Sequence, residues 1–163
     1  MLLAQELVEE VMELIVPIAQ HKQLQVQLER GPSIALHTDP DMLGFILRNT
    51  AFNAVKHTPK GGSVILSLSA NEDGATIVVK DEGEGMSSEV LEMLKLGKRH
   101  TSLGTAGEKG SGLGLQLSHV FCEKLGFEME WHSDLNSGAL VRIKIPGHVV
   151  KEVLPNVAGT PGF

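Results

Sequence analysis

One cysteine in 163 residues excludes an internal disulfide and a cysteine-based zinc site. That residue, Cys122, sits at an apolar position of a helical pattern and is read as a core thiol. Basic residues are also scarce. Fourteen Lys and Arg against twenty Asp and Glu leave a net charge of −6, and no cluster denser than Lys98-Arg99-His100 is available to contact a phosphate backbone. Nucleic acid is therefore not an expected partner. No apolar run approaches the ~20 residues of a membrane span. Met1-Leu2-Leu3-Ala4 passes at once into Gln5, Glu6, Glu9 and Glu10, unlike a secretory signal. The expectation is a cytoplasmic, monomeric segment with no direct membrane insertion. Internal repeats and low-complexity tracts are missing too. What remains, 42% hydrophobic and 21% charged, is the composition of one ordinary globular domain.

The elements come in mixed order. Leu3, Leu7, Val11, Leu14, Ile15 and Ile18 recur at helical spacing across Pro17, and Leu24, Val26 and Leu28 then alternate as in a strand. Asp39-Pro40-Asp41 is a helix start, and Pro59 with Gly61-Gly62 is the stop. Strands near 63–70 and 75–80 flank the turn Asn71-Glu72-Asp73-Gly74. A short helix near 88–95 leads into a Gly/Thr/Lys-rich stretch over 97–110, and a glycine cluster opens a helix running to about Leu125. Strands near 127–133 and 139–145 follow. Residues 147–163, ending PNVAGTPGF, read as a linker or frayed tail behind a domain of residues 1–146.

Three constellations carry chemistry. On the helix that starts at Asp39, Asn49, Asn53 and Lys56 fall on one face, opposite Leu43, Leu47, Ala51, Ala54 and Val55. Asparagine is a mediocre helix former, so two of them one turn apart are either solvated surface or ligands. An amide oxygen suits a hard cation, and a lysine beside it suits phosphate. The second constellation is Asp81-Glu82-Gly83-Glu84-Gly85-Met86, directly after a strand. It reads either as a plain turn or as a base site, in which Asp81 accepts an exocyclic amine, the glycines admit the ring and Met86 covers its face. The third is Gly110-Ser111-Gly112-Leu113-Gly114 at the mouth of a helix, where bare N–H groups and the helix dipole favour an anion. It fits neither the dinucleotide-binding fingerprint nor the phosphate loop of GxxxxGK[ST] type.

Taken in order, ILRNTAFNAVKHTPKGG, DEGEGM and GTAGEKGSGLGLQLSHVF resemble the N, G1 and G2 boxes of the sensor histidine-kinase ATP-binding domain. That domain belongs to the superfamily of gyrase B, the heat-shock chaperone ATPase and the mismatch-repair ATPases. The resemblance covers roughly residues 3–146. It implies a Bergerat-type fold of the α/β (α+β) class, a two-layer sandwich whose mixed, mostly antiparallel sheet is covered on one face by helices. It also implies ATP and Mg²⁺, with the metal on Asn53. Lys56 and His57 would flank the phosphates and ribose, Asp81, Gly83, Gly85 and Met86 would seat adenine, and Gly110, Gly112 and Gly114 would wrap the phosphates. Thr105, Lys109 and Leu113 join the ATP-binding set, and Asn49, Asn53 and Lys56 form the catalytic set. Residues 97–109 would be a mobile lid that brings Lys98, Arg99 or Lys109 to the γ-phosphate.

Departures from the family pattern sharpen the reading. Leu94 and Leu96 stand where an aromatic F box is usual, Gly126-Phe127 replaces a double glycine, and Ala139-Leu140 replaces a Ser/Thr pair near adenine. None of the seven histidines is followed by Asp or Glu, as the acceptor motif of the family requires. The implied partners are therefore a dimerisation and histidine-phosphoacceptor domain, on the same or another protein, and a response regulator downstream. Asn49 occupies the position at which the gyrase-type ATPases and the anti-sigma serine kinases carry a glutamate base, and an amide cannot take a proton. Histidine phosphorylation is thus the leading expectation, with a nucleotide-dependent interaction module (an ATP switch or pseudokinase) or an anti-sigma-type serine kinase as alternatives.

Overall fold

The computed structural model describes residues 1–101 and 104–155. A short strand β1 (Leu2–Leu3) leads into helix α1 (Ala4–His21), whose Leu7, Val8, Val11 and Ile15 form a buried stripe. Pro17 lies inside this helix on its exposed side. Strands β2 (Gln25–Glu29) and β3 (Ser33–Leu36) precede helix α2 (Pro40–His57). The start of α2 follows from its sequence. Asp39 Oδ1 accepts from the backbone N–H of Asp41 (2.9 Å) and of Met42 (3.0 Å), and Pro40 occupies a position that needs no donor.

The hairpin of β4 (Ser63–Asn71) and β5 (Gly74–Asp81) is closed by Asn71 Oδ1, which accepts from Asp73 and Gly74. Helices α3 (Ser88–Lys95) and α4 (Leu113–Leu125) and the hairpin of β6 (Glu128–Ser133) and β7 (Ala139–Pro146) complete the main body. The large sheet has the order β2-β4-β5-β7-β6, with β2 and β4 parallel and every other pair antiparallel. Alternation makes it one-sided. Val64, Leu66, Ile77, Val79, Ile143 and Ile145 are buried against α1, α2 and α4, whereas Ser67, Lys80, Arg142 and Lys144 fall on alternate positions of the other face. The fold is therefore the expected α/β sandwich, a mixed and mostly antiparallel sheet covered on one face by helices.

Two features depart from the sequence expectation. Ser33–Leu36 form an unforeseen strand, and the supposed linker begins with a 3-10 turn (Gly147–Val149) followed by strand β8 (Val150–Leu154). These join β1 in a second, three-stranded antiparallel sheet of order β1-β3-β8, and Val149 is buried at its entry. Residues 147–154 are thus regular structure and not tail, because backbone pairing with β3 supplies hydrogen bonds that no local pattern advertises. The remainder of the expected tail, 156–163, lies outside the described residues, as do residues 102–103 of the expected lid.

Candidate functional site

A cleft of about 530 Å³ opens between α2, the end of β5, α3 and the start of α4. Three sequence segments far apart in the chain supply its walls.

Helix α2 contributes Asn49, Phe52, Asn53 and Lys56, at i, i+3, i+4 and i+7 on the face turned from the core. Phe52 was legible from the same periodicity but was not singled out. Asn49 is held in place. Its Nδ2 donates to the carbonyl of Phe45 (2.9 Å), and its Oδ1 faces Gly114 of α4. A methyl group at Gly114 would strike that amide oxygen, so this glycine permits the close approach of α2 and α4. Phe45 and Phe121 meet edge to face beside it, with ring centroids 5.1 Å apart. His57 ends the helix and also lines the cleft. Burial, reinforced by the charge of Lys56, holds its imidazole below the ordinary value and so favours the neutral form.

The second wall is built around Asp81, the buried last residue of β5. Its Oδ1 accepts from the backbone N–H of Gly83 (2.8 Å) and of Ala139 (3.1 Å). Among the described residues none donates to Oδ2, which is not sealed from solvent. Burial pushes the carboxyl above its ordinary value, and those two backbone hydrogen bonds oppose the shift. The β6–β7 turn braces the neighbouring loop. Met86 N–H donates to Ser133 Oγ (2.8 Å), Ser133 Oγ donates to the Gly138 carbonyl (2.6 Å), and Asn136 N–H donates to the Glu84 carbonyl (2.6 Å). Met86, Val90, Leu94 and Leu115 pack with Trp131 and Val141 into an apolar cluster, and the first four line the cleft. An apolar slot with an acceptor at its end suits a flat ring bearing an amine.

Gly110, Ser111, Gly112 and Gly114 form the third wall, with His100 beside them. Gly112 is the N-cap of α4 with φ +73°, and a side chain there would also collide with the His100 carbonyl. The ammonium of Lys56 lies against Gly110. A cation, two amides and a glycine-rich helix start therefore converge at one end of the cleft, and the carboxylate and the apolar slot belong to its other walls.

Of the residues singled out in the sequence, Asn49, Asn53, Lys56, His57, Asp81, Gly85, Met86, Gly110, Gly112 and Gly114 all line this cleft. Gly83 is buried behind it and serves as a donor to Asp81. Thr105, Lys109 and Leu113 do not line it. Thr105 is turned onto the end of α2, where its N–H donates to the Lys56 carbonyl (3.0 Å) and its hydroxyl to that of Thr58 (2.9 Å). Lys109 is exposed, and Leu113 presents its side chain to solvent. The described part of the expected lid is accordingly not uniformly loose. Ser87, Val90, His100, Leu115 and Leu135 also line the cleft without having been foreseen, since only tertiary packing brings them there, and Glu84 and Ala139, both within stretches read from the sequence, line it as well. Among the described residues no group of three or more His, Cys, Asp or Glu could hold a metal ion. A hard cation here would have the Asn53 amide oxygen, anionic oxygens of a ligand and water as its donors. No helix among the described residues is long and apolar enough to cross a membrane.

Residues 38–149 match the family described as histidine kinase-, DNA gyrase B- and HSP90-like ATPases. The chain is 37% identical over 134 residues to histidine protein kinase DivJ of Caulobacter vibrioides, covering 80% of this chain and 21% of that protein. It is 31% identical to sporulation kinase B of Bacillus subtilis, covering 86% of this chain and 32% of the relative. The chain thus spans between a fifth and a third of the length of these relatives. Among solved structures, the mycobacterial sensor histidine kinase MprB superposes with a TM-score of 0.74 at 21% identity, covering 94% of this chain and 97% of that one. Full-length ShkA in complex with AMPPNP superposes with a TM-score of 0.73 at 26% identity, covering 96% of this chain and 32% of that one.

Proposed function

The chain belongs to the histidine kinase-, DNA gyrase B- and HSP90-like ATPase family, and from that premise we propose that it binds Mg-ATP and passes the γ-phosphate to a histidine on a separate phosphoacceptor domain. The observation that carries the reading is the polarity of the cleft, with the fixed Asp81 carboxylate and the apolar slot at one end and Lys56, Asn53 and the start of α4 at the other. A base with an exocyclic amine matches the first end and a polyphosphate the second.

In this reading Asp81 accepts a hydrogen bond from the exocyclic amine of adenine, and Met86, Val90 and Leu94 exclude water from the ring. Lys56 and the N–H groups of Gly110–Gly114 hold the phosphates. Asn53 presents an amide oxygen to magnesium, which when bound supplies charge neutralisation along the phosphates. Asn49 cannot serve as a base, and none is required, because a neutral imidazole already carries a lone pair. That lone pair forms a P–N bond while the P–O bond to the leaving ADP breaks, and the bond electrons stay on the ADP oxygen. Leu113, Leu117 and Val120, at i, i+4 and i+7 of α4, are exposed next to the phosphate end and give an acceptor helix an apolar face. A response regulator would then take the phosphoryl group from that histidine.

The test mixes the chain with labelled Mg-ATP and a dimerisation domain bearing an acceptor histidine. Acid-labile, base-stable label on the acceptor is the expected result, in low yield because two untethered domains lack the effective concentration of a linker. Acid-stable label would move the assignment to serine phosphorylation, and nucleotide binding without any transfer would make the chain an interaction module.

A further inference from the structure

Lys22 follows the last residue of α1, far in sequence from every residue of the cleft, and its side chain is only 11% exposed. Its ammonium has three donors, and all three are used. Nζ donates to the carbonyls of Val55 (3.0 Å) and Lys56 (2.8 Å) and to Glu108 Oε2 (2.9 Å). The two carbonyls belong to the last turn of α2, whose C-terminal acceptors lack intrahelical partners and carry the negative end of the dipole. Glu108 completes the other half. Its Oε1 accepts from Ala106 N–H (2.7 Å), and its backbone carbonyl accepts from Gly104 N–H (2.8 Å). Partial desolvation pushes the Glu108 carboxyl upward, but the hydrogen bond from Lys22, those from backbone amides and the Lys22 charge together leave it below its ordinary value.

Residues 104–108 are therefore folded around Glu108 and fastened to the end of α2, one residue before Lys109 and the glycine segment 110–114. The same α2 turn carries Lys56. Building on the nucleotide-binding reading above, we propose that Lys22 and Glu108 form a latch of positioning residues that sets the distance between the phosphate-holding glycine segment and α2. Neither residue lines the cleft. Without the latch, among the described residues, Thr105 alone hydrogen-bonds segment 104–108 to the end of α2, beside the packing of Gly104 on Lys56.

The test compares the wild-type chain with E108Q and K22M by hydrogen exchange, first without nucleotide. E108Q leaves Lys22 on the α2 carbonyls, so α2 should keep its protection and the thermal midpoint should stay unchanged. Exchange across 104–110 should rise by about 3- to 10-fold, the scale of one partly exposed charged hydrogen bond. Raising salt to about 1 M should produce the same rise in wild type and none in E108Q, because the pair is ionic. K22M should free the same segment and also lower the protection of the last turn of α2. In calorimetry, E108Q should weaken a non-hydrolysable ATP analogue by a similar factor and leave adenosine, which has no phosphates, unaffected. Unchanged exchange over 104–110 in E108Q would overturn the latch, and so would an equal loss of affinity for adenosine and for the ATP analogue. If the wild-type chain bound neither ligand, the nucleotide reading would fall, while the nucleotide-free exchange would still decide whether the pair holds the segment.

Discussion

Replacing Asp81 in two ways separates its structural role from its proposed recognition of the base. Oδ1 satisfies the buried N–H groups of Gly83 and Ala139, whereas Oδ2 receives no donor from the described residues. In D81N the amide oxygen keeps both backbone bonds, and its NH₂ turns toward the cleft. Burial already disfavours the charge at this position, so its removal should leave stability unchanged or slightly raised at neutral pH. Binding should respond differently. A charge-assisted hydrogen bond worth ~1.5–3 kcal/mol is lost and a donor now faces a donor, so affinity for an adenine nucleotide should fall about 100-fold or more.

D81A removes the acceptor altogether. Two buried donors lose their partner at ~1–3 kcal/mol each, a total of ~2–6 kcal/mol. For a domain of this length each kcal/mol lowers the melting point by about 2–4 °C. The melting point of D81A should therefore drop by roughly 4–24 °C, while that of D81N stays within about 2 °C of wild type. Differential scanning calorimetry and titration with adenine and guanine nucleotide analogues measure both effects. The reasoning is refuted if D81N loses as much stability as D81A, or if D81N binds the adenine analogue with wild-type affinity.

Three further outcomes follow from the packing. G114A should destabilise the fold by about 1–2 kcal/mol, since the new methyl group meets the Asn49 amide, and G114A/N49A should recover most of the loss in a double-mutant cycle of urea melts. His57 has a lowered value in the folded state, so the unfolded chain binds more protons at mildly acidic pH; stability should fall as pH drops from about 6.5 through the depressed value, and H57N should flatten that part of the curve. Burial pushes the Cys122 thiol up to about 12, so iodoacetamide should label the native chain very slowly at pH 8 and the urea-unfolded chain readily; rapid labelling of the native chain would show that the α4 core opens.

Legibility in the sequence followed locality. The start of α2 was readable because Asp39 caps it through bonds only two and three residues long, and its cleft-lining face was readable because helical spacing alone groups 49, 53 and 56. The β4–β5 hairpin was readable from Asn71 and Gly74 for the same reason. Strands β3 and β8 were not. Their pairing joins Ser33 to Leu154 and Leu36 to Val150, and an edge strand reading Val-Lys-Glu-Val-Leu carries no clean alternation. The composition of 97–109 suggested a loose lid, yet 104–108 are fixed by partners at positions 22, 56 and 58 that no local pattern connects to them. Lys22, Glu108 and Leu135 were invisible on the same ground, since each acquires its place only when distant elements meet.

The two ends of the cleft are built differently, and this bears on how a nucleotide would be held. At the Asp81 end the acceptor is fixed by two backbone amides, the loop of Glu84–Met86 is braced by the β6–β7 turn, and Leu94, Trp131 and Val141 are buried beneath it. The ordering cost of that end is met when the chain folds. At the other end Gly112 takes a left-handed conformation, and the proposed Lys22–Glu108 latch has a Glu108 side chain that is 37% exposed and therefore screened by water and salt. Under that proposal part of the ordering cost of this end would be met only when an anion binds. A ligand should accordingly draw affinity from its base, through a preformed slot, and induce order through its phosphates. Under the proposed function, loss of the γ-phosphate would then act at the end held by the screened ion pair, and ADP would leave without disturbing the packed end.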